Sequence, residues 1–144
     1  MFEGVVKVRT VDPMIDEEFI SDLIDYIGFI GYEITEKDTR MLGLQIDKAC
    51  DLMKIRTHQI IIPTALRQSI IEMAAGGFLH TKARSEGFPP DFNFPRAVKS
   101  ISEGDDRIEF ESSSTPEAEF MHFAEIMARG ERDTTWKHFR KMSW

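Results

Sequence analysis

Four histidines, one cysteine and a large set of carboxylates are the residues of this chain that could do chemistry. His58, His80, His122 and His138 could act as bases or metal ligands, but they are widely scattered. None has a carboxylate or a second histidine at four-residue helical spacing, the arrangement that would bring two ligands to one metal. Glu72 and His80 share one expected helix but stand about two turns apart, too far for a single site. Cys50 falls on an apolar helical stripe, with no histidine or helix N-terminus nearby to lower its pKa. It reads as a small buried hydrophobe rather than a reactive thiol. No P-loop, dinucleotide glycine pattern, zinc-protease helix or nucleophile elbow is present. The residues therefore point to no catalytic group, no metal ligand set and no cofactor.

Two charged segments offer chemistry of another kind. The run 103–125 carries eight carboxylates and one arginine. Paired carboxylates can do acid–base work, but a solvated face is the ordinary reading. If copies of the chain formed a ring, an acidic segment pointing into the hole would repel DNA and let it slide. The tail, 131–144, is the reverse case, with Trp136, Phe139 and Trp144 interleaved with Lys137, Arg140 and Lys141. Trp136 and Phe139 could simply dock on the body of the protein. The same residue types also anchor protein interfaces and stack on single-stranded nucleic acid. An acidic body favours docking or protein contact.

Composition narrows the classes further. At 144 residues the chain is read as one domain, 1–144, long enough to bury about two-thirds of its unfolded surface. A net charge of −7 argues against a protein whose main task is to grip nucleic-acid phosphates. A single cysteine excludes an intramolecular disulfide framework and any cysteine-based zinc cluster. The N-terminus lacks the basic start and apolar run of a signal peptide, and no segment approaches the length of a membrane span. A soluble protein made in a reducing compartment is expected, with no membrane contact.

The elements that would position these residues are mostly helices. The chain is arranged around 60–87, where Pro63 can open a helix. Leu66, Ile70, Met73, Ala74, Gly77 and Phe78 then recur at three- and four-residue steps. Ile71 and Leu79 widen the apolar face, which makes this helix central. Gly76 and Gly77 within it each cost roughly 1 kcal/mol against alanine, a cost that makes sense where another backbone crosses close by. Before it, Phe19, Ile20, Leu23, Ile24 and Ile27 mark a first helix ending near Gly28 or Gly31. Leu42, Ile46, Ala49, Cys50 and Met53 mark a second, opened by a Thr35–Asp38 capping box and ending near Thr57. After it, FPPDFNFP (88–95) packs three prolines and three phenylalanines into eight residues and reads as a loop strapped across the bundle. Segment 97–110 reads as an inserted loop or β-hairpin turning at Glu103–Asp106, although Val98 and Ile101 would face opposite sides without a bulge. Thr115 and Pro116 open a last helix striped by Phe120, Phe123, Ala124 and Met127 and stopped by Gly130. Segment 1–14 reads as extended. The fold class expected is mainly α, a small helical bundle of four to five helices with one inserted loop or hairpin.

One pattern is more specific. Ile62, Pro63, Leu66, Ile70, Glu72, Met73, Ala74, Gly76, Phe78, Leu79, Lys82 and Gly87 form an IP..L...I.EMA.G.FL..K...G run, followed by VKSISEGDDRIEF and an F-R-K-M-S-W chain end. Together these resemble the head–tail connector proteins of long-tailed bacteriophages, also called adaptor or head-completion proteins, over about 35–144. The N-terminal extension to about residue 34 and the FPPDFNFP loop depart from the shorter members. The resemblance implies a bundle of which about twelve copies close into a ring beneath the portal protein. Such a ring continues the DNA channel and offers a docking surface to a downstream tail-completion protein. DNA would pass through without specific binding, and the protein, made in the bacterial cytoplasm, would reside in the virion. No catalytic residue or cofactor carries over. Contact with the channel or with neighbours is expected from Lys99, Ile101, Glu103, Asp105, Asp106, Arg107 and Ile108. Anchoring is expected from Trp136, Phe139, Arg140 and Trp144. A helical nucleic-acid-binding or DNA-packaging accessory protein is the alternative.

Overall fold

The computed structural model describes residues 13–101 and 115–140. Among them are five α-helices: α1 (Glu17–Ile30), α2 (Thr39–Thr57), α3 (Arg67–Ser85), α4 (Phe94–Ile101) and α5 (Pro116–Ala128). Short 3₁₀ turns precede α2 (Glu36–Asp38) and α3 (Thr64–Leu66), and a third, Thr135–Phe139, follows α5. The described residues contain no strand.

The helix boundaries follow from local chemistry. Asp16 caps α1, its carboxylate accepting from the Phe19 amide at 2.9 Å, and Glu17 and Glu18 put negative charge at the positive end of the helix. Gly31 ends α1 at φ 130°, a conformation with little strain only for glycine. The Thr35–Asp38 capping box opens the turn before α2, and His58 closes α2 in the left-handed region at φ 54°. Pro63 stands just before the turn that leads into α3. Thr115 caps α5, accepting from Ala118 N at 3.1 Å with Pro116 in the first turn, and Gly130 turns the chain away at φ 69°.

Helix α3 is the centre of the molecule and packs against α1, α2 and α5. It buries Ile70, Ile71, Met73, Ala74, Ala75, Phe78 and Leu79 on several sides, as a helix enclosed by neighbours must. At Gly76 the backbone of α5 passes so close that a Cβ would lie 2.6 Å from the Ala124 carbonyl oxygen and 2.8 Å from the Ala128 nitrogen. The crossing backbone expected from the paired glycines is therefore α5 at Gly76. At Gly77 the neighbour is only the Gln45 side chain.

Of the loop expected over 88–95, Phe94 and Pro95 belong to α4, and residues 88–93 form a strap. Its phenylalanines stack: Phe88 lies 4.4 Å from Phe92 ring to ring, and both meet Phe120 of α5 edge-on at 5.7 Å. The hairpin expected over 97–110 is corrected for its first arm. Residues 97–101 belong to α4, which the Asn93 side chain opens by accepting from Arg96 N at 3.0 Å. Asn93 and Pro95 are start signals for a helix, and they outweigh the β propensity of Val98 and Ile101. The parity problem disappears too, because Phe94, Ala97, Val98 and Ile101 share one face at helical spacing. The remainder of that segment, 102–110, lies outside the described residues, as do 1–12 of the expected extended N-terminus.

Candidate interaction site

The described residues hold two features with polar or apolar groups out of the ordinary, at opposite ends of α2. The first is a buried ion pair. Lys82 reaches from the last turns of α3 to Asp38, Nζ to Oδ1 at 3.0 Å, with both side chains almost wholly enclosed. Asp38 spends its other oxygen on the Tyr32 hydroxyl at 2.8 Å and on the amide and hydroxyl of Thr35 at 3.0 and 3.1 Å. Lys82 also pairs with Glu86 one turn on. Burial would push the Asp38 carboxyl up, but the Thr35 amide, Lys82 and Tyr32 together hold it below the usual carboxylate range. Burial would likewise lower Lys82, and its bonds to Glu86 and Asp38 instead hold it well above the usual lysine value. Burial and the Asp38 carboxylate raise Tyr32.

That electrostatic state decides what the cluster can do. A permanently protonated lysine is no nucleophile, and a carboxylate saturated with donors is a poor base. The cluster sits at the wall of a surface cleft of about 970 Å³, bordered by Phe29, Phe88 and Phe92, and it ties the end of α3 to the turn that starts α2. Its action is to fix the register of two helices.

The second feature is apolar. Ile55, Ile60 and Ile61 are 62%, 77% and 63% exposed, all within 55–61 at the end of α2 and in the bridge to α3. Helix α2 has nineteen residues, so this end lies about 28 Å from the Asp38 end. Beside it sits the tail. Trp136 and Phe139 pack part-buried against the core, and the Arg56 guanidinium lies 5.2 Å over the Trp136 ring. Trp136 Nε1 donates to the Gly130 carbonyl at 3.3 Å, and the Gln59 amide donates to the Phe139 carbonyl.

No protein-family model, curated protein or solved structure matches the chain.

The residues expected to make contacts are thus placed unevenly. Lys99 is exposed on α4 and Arg140 is exposed after the last turn. Ile101 is fully buried at 0% exposure and belongs to the core, so a contact role for it is corrected: helical spacing turns it inward with Ala97. Trp136 and Phe139 are docked as the plainer reading held, with their basic neighbours Lys137 and Arg140 outward. Glu103, Asp105, Asp106, Arg107, Ile108 and Trp144 lie outside the described residues. Cys50 is buried on α2. Among the described residues no three histidine, cysteine or acidic side chains are grouped to hold a metal ion. No described helix is long and apolar enough to cross a membrane.

Three features of the sequence mark these two sites. Lys82 follows Ile71, Ala75 and Phe78 on one helical stripe, a position where a lysine must find a buried partner. Asp38 completes a capping box, and a cap on a short 3₁₀ turn is also free to meet a neighbouring helix. Ile60 and Ile61 fall in the apolar bridge 59–62, which has the composition of a linker, and Ile55 falls outside the α2 stripe of Leu42, Ile46, Ala49, Cys50 and Met53.

Proposed function

We propose that this chain is a structural subunit of a phage head–tail connector, assembling about twelve-fold beneath the portal and continuing the DNA channel towards a tail-completion protein. The observation that carries the reading is the isoleucine end. Three large aliphatic side chains left in water beside a tail of aromatic and basic residues make a surface suited to another protein chain. The resemblance over about 35–144 supplies the kind of assembly, and a helical body cross-tied by a buried ion pair suits a rigid building part. The net charge of −7 suits a channel that DNA traverses without being held.

Electron microscopy of the protein mixed with its cognate portal complex tests this. Added density in a closed ring under the portal supports the reading. Unchanged portal particles, together with a salt-dependent retardation of duplex DNA by the protein alone, would establish the nucleic-acid-binding alternative instead.

A further inference from the structure

A smaller groove of about 260 Å³ opens where α2, α3 and α5 meet, sharing Arg56 with the isoleucine end. Its floor is built from small residues, Ala49 of α2, Gly77 of α3 and Ala128 of α5. Gly77 keeps the floor low, since a Cβ there would run into the Gln45 side chain at the rim. The walls are basic. Lys48 and Arg56 come from α2, His80 from α3, and Arg129 from the residue that caps α5.

Positive charge in this groove is poorly compensated. The one carboxylate lining it, Glu125, is already paired with Arg129. The Arg56 guanidinium lies over the Trp136 ring, and its Nη1 atom is buried beside Gly130 with no hydrogen-bond partner. A buried donor without an acceptor costs on the order of 1–3 kcal/mol, and more for a charged group, so turning the guanidinium towards an acceptor in the groove would relieve it. Burial pushes the His80 imidazole down; Glu125 opposes this, while Arg84, Arg129 and Lys48 push it down further. A chain with net charge −7 has carboxylates to spare, yet none besides Glu125 lines this groove.

We propose that this groove is a binding site for a small oxyanion of the phosphate class, held by Lys48, Arg56 and Arg129 with His80 as a further donor. Guanidinium and ammonium groups converging on one small concavity match the tetrahedral charge of a phosphate through charge-assisted hydrogen bonds. A free oxyanion is favoured over the phosphates of a polynucleotide for two reasons. The groove is confined between helices, and the surrounding protein is acidic, which repels a long polyanion. The site is independent of the connector reading and stands or falls separately.

The test is an NMR titration of the full-length protein with inorganic phosphate at fixed pH, with sodium chloride at matched ionic strength as the control. The His80 ring signals should move saturably with phosphate and not with chloride. Lys48→Gln and Arg129→Gln change exposed residues, so both variants should melt near the parent temperature. Each should weaken the phosphate response roughly tenfold or more, the loss expected for one charge-assisted contact. A response that matches chloride, or an affinity in both variants equal to that of the parent, overturns the proposal. So does a His80 response to a short DNA duplex with none to inorganic phosphate.

Discussion

Replacing Lys82 with methionine keeps most of the length of the side chain but removes the charge from between Asp38 and Glu86. Asp38 would then be a buried carboxylate with only Tyr32 and Thr35 to answer it. Breaking a buried pair from one side costs about 3–5 kcal/mol, so Lys82→Met should lower the denaturant midpoint markedly. The pH dependence has a definite sign. The folded Asp38 and Asp133 carboxyls lie below their ordinary value of 3.8. The stability they contribute is complete above that value and is lost as pH falls through the lower folded values. His80 works in the same direction from a higher start. Its folded pKa lies below 6.5, so the unfolded chain takes up a proton first and stability declines as pH falls from there. Lys82, raised above 10.5, contributes fully below that value and loses its contribution only as pH rises through the folded value. Urea denaturation from pH 7 down to about pH 3 should show stability declining throughout. In Asp38→Asn the starting stability should be lower and the decline below about pH 4 shallower. The ion pair itself was illegible in the residues because its partners stand far apart in the chain. Only the packing of α3 against the turn before α2 joins them.

The helices, by contrast, were legible wherever periodicity and caps agreed. Asp16, Thr35 with Asp38, and Thr115 with Pro116 each start a helix or its leading turn where the residue types require it. At 97–101 a helix replaces the expected hairpin. The turn-forming SEGD after Val98 and Ile101 favours a hairpin, whereas in the structure Asn93 accepts from Arg96 N and α4 starts at Phe94. Tertiary burial of Ala97 and Ile101 against α5 and α1 favours the helix. The glycines give a paired test at this scale. Gly28 is exposed within α1 with nothing within 4 Å of a would-be Cβ, so Gly28→Ala should stabilise by about 0.5–1 kcal/mol through helix propensity. Gly76→Ala makes the same propensity gain but drives a methyl group into Ala124 and Ala128 of α5. Overpacking costs of about 1–3 kcal/mol should exceed that gain, so this variant should be destabilised. If both substitutions shifted the urea midpoint upward, the close crossing of α3 and α5 would be refuted.

For the whole molecule, the two ends of α2 differ in character. One end is cross-tied by Lys82 and Asp38, and the other leaves Ile55, Ile60 and Ile61 in solvent beside the docked tail. Bundle architecture could be read from hydrophobic spacing, because burial within one chain dictates that spacing. A surface meant for another chain leaves a weaker trace, since the partner's residues are absent from the pattern. The bridge 59–62 accordingly reads as a linker from its residue types alone. The connector account rests on that exposed end being a contact surface. The decisive comparison is the parent chain against Ile60→Asp with Ile61→Asp, each mixed with the cognate portal complex and imaged by electron microscopy alongside thermal melts. The account predicts that the double variant melts within a few degrees of the parent, because neither side chain supports the core, yet adds no ring density to the portal. A double variant that assembles as fully as the parent would contradict it.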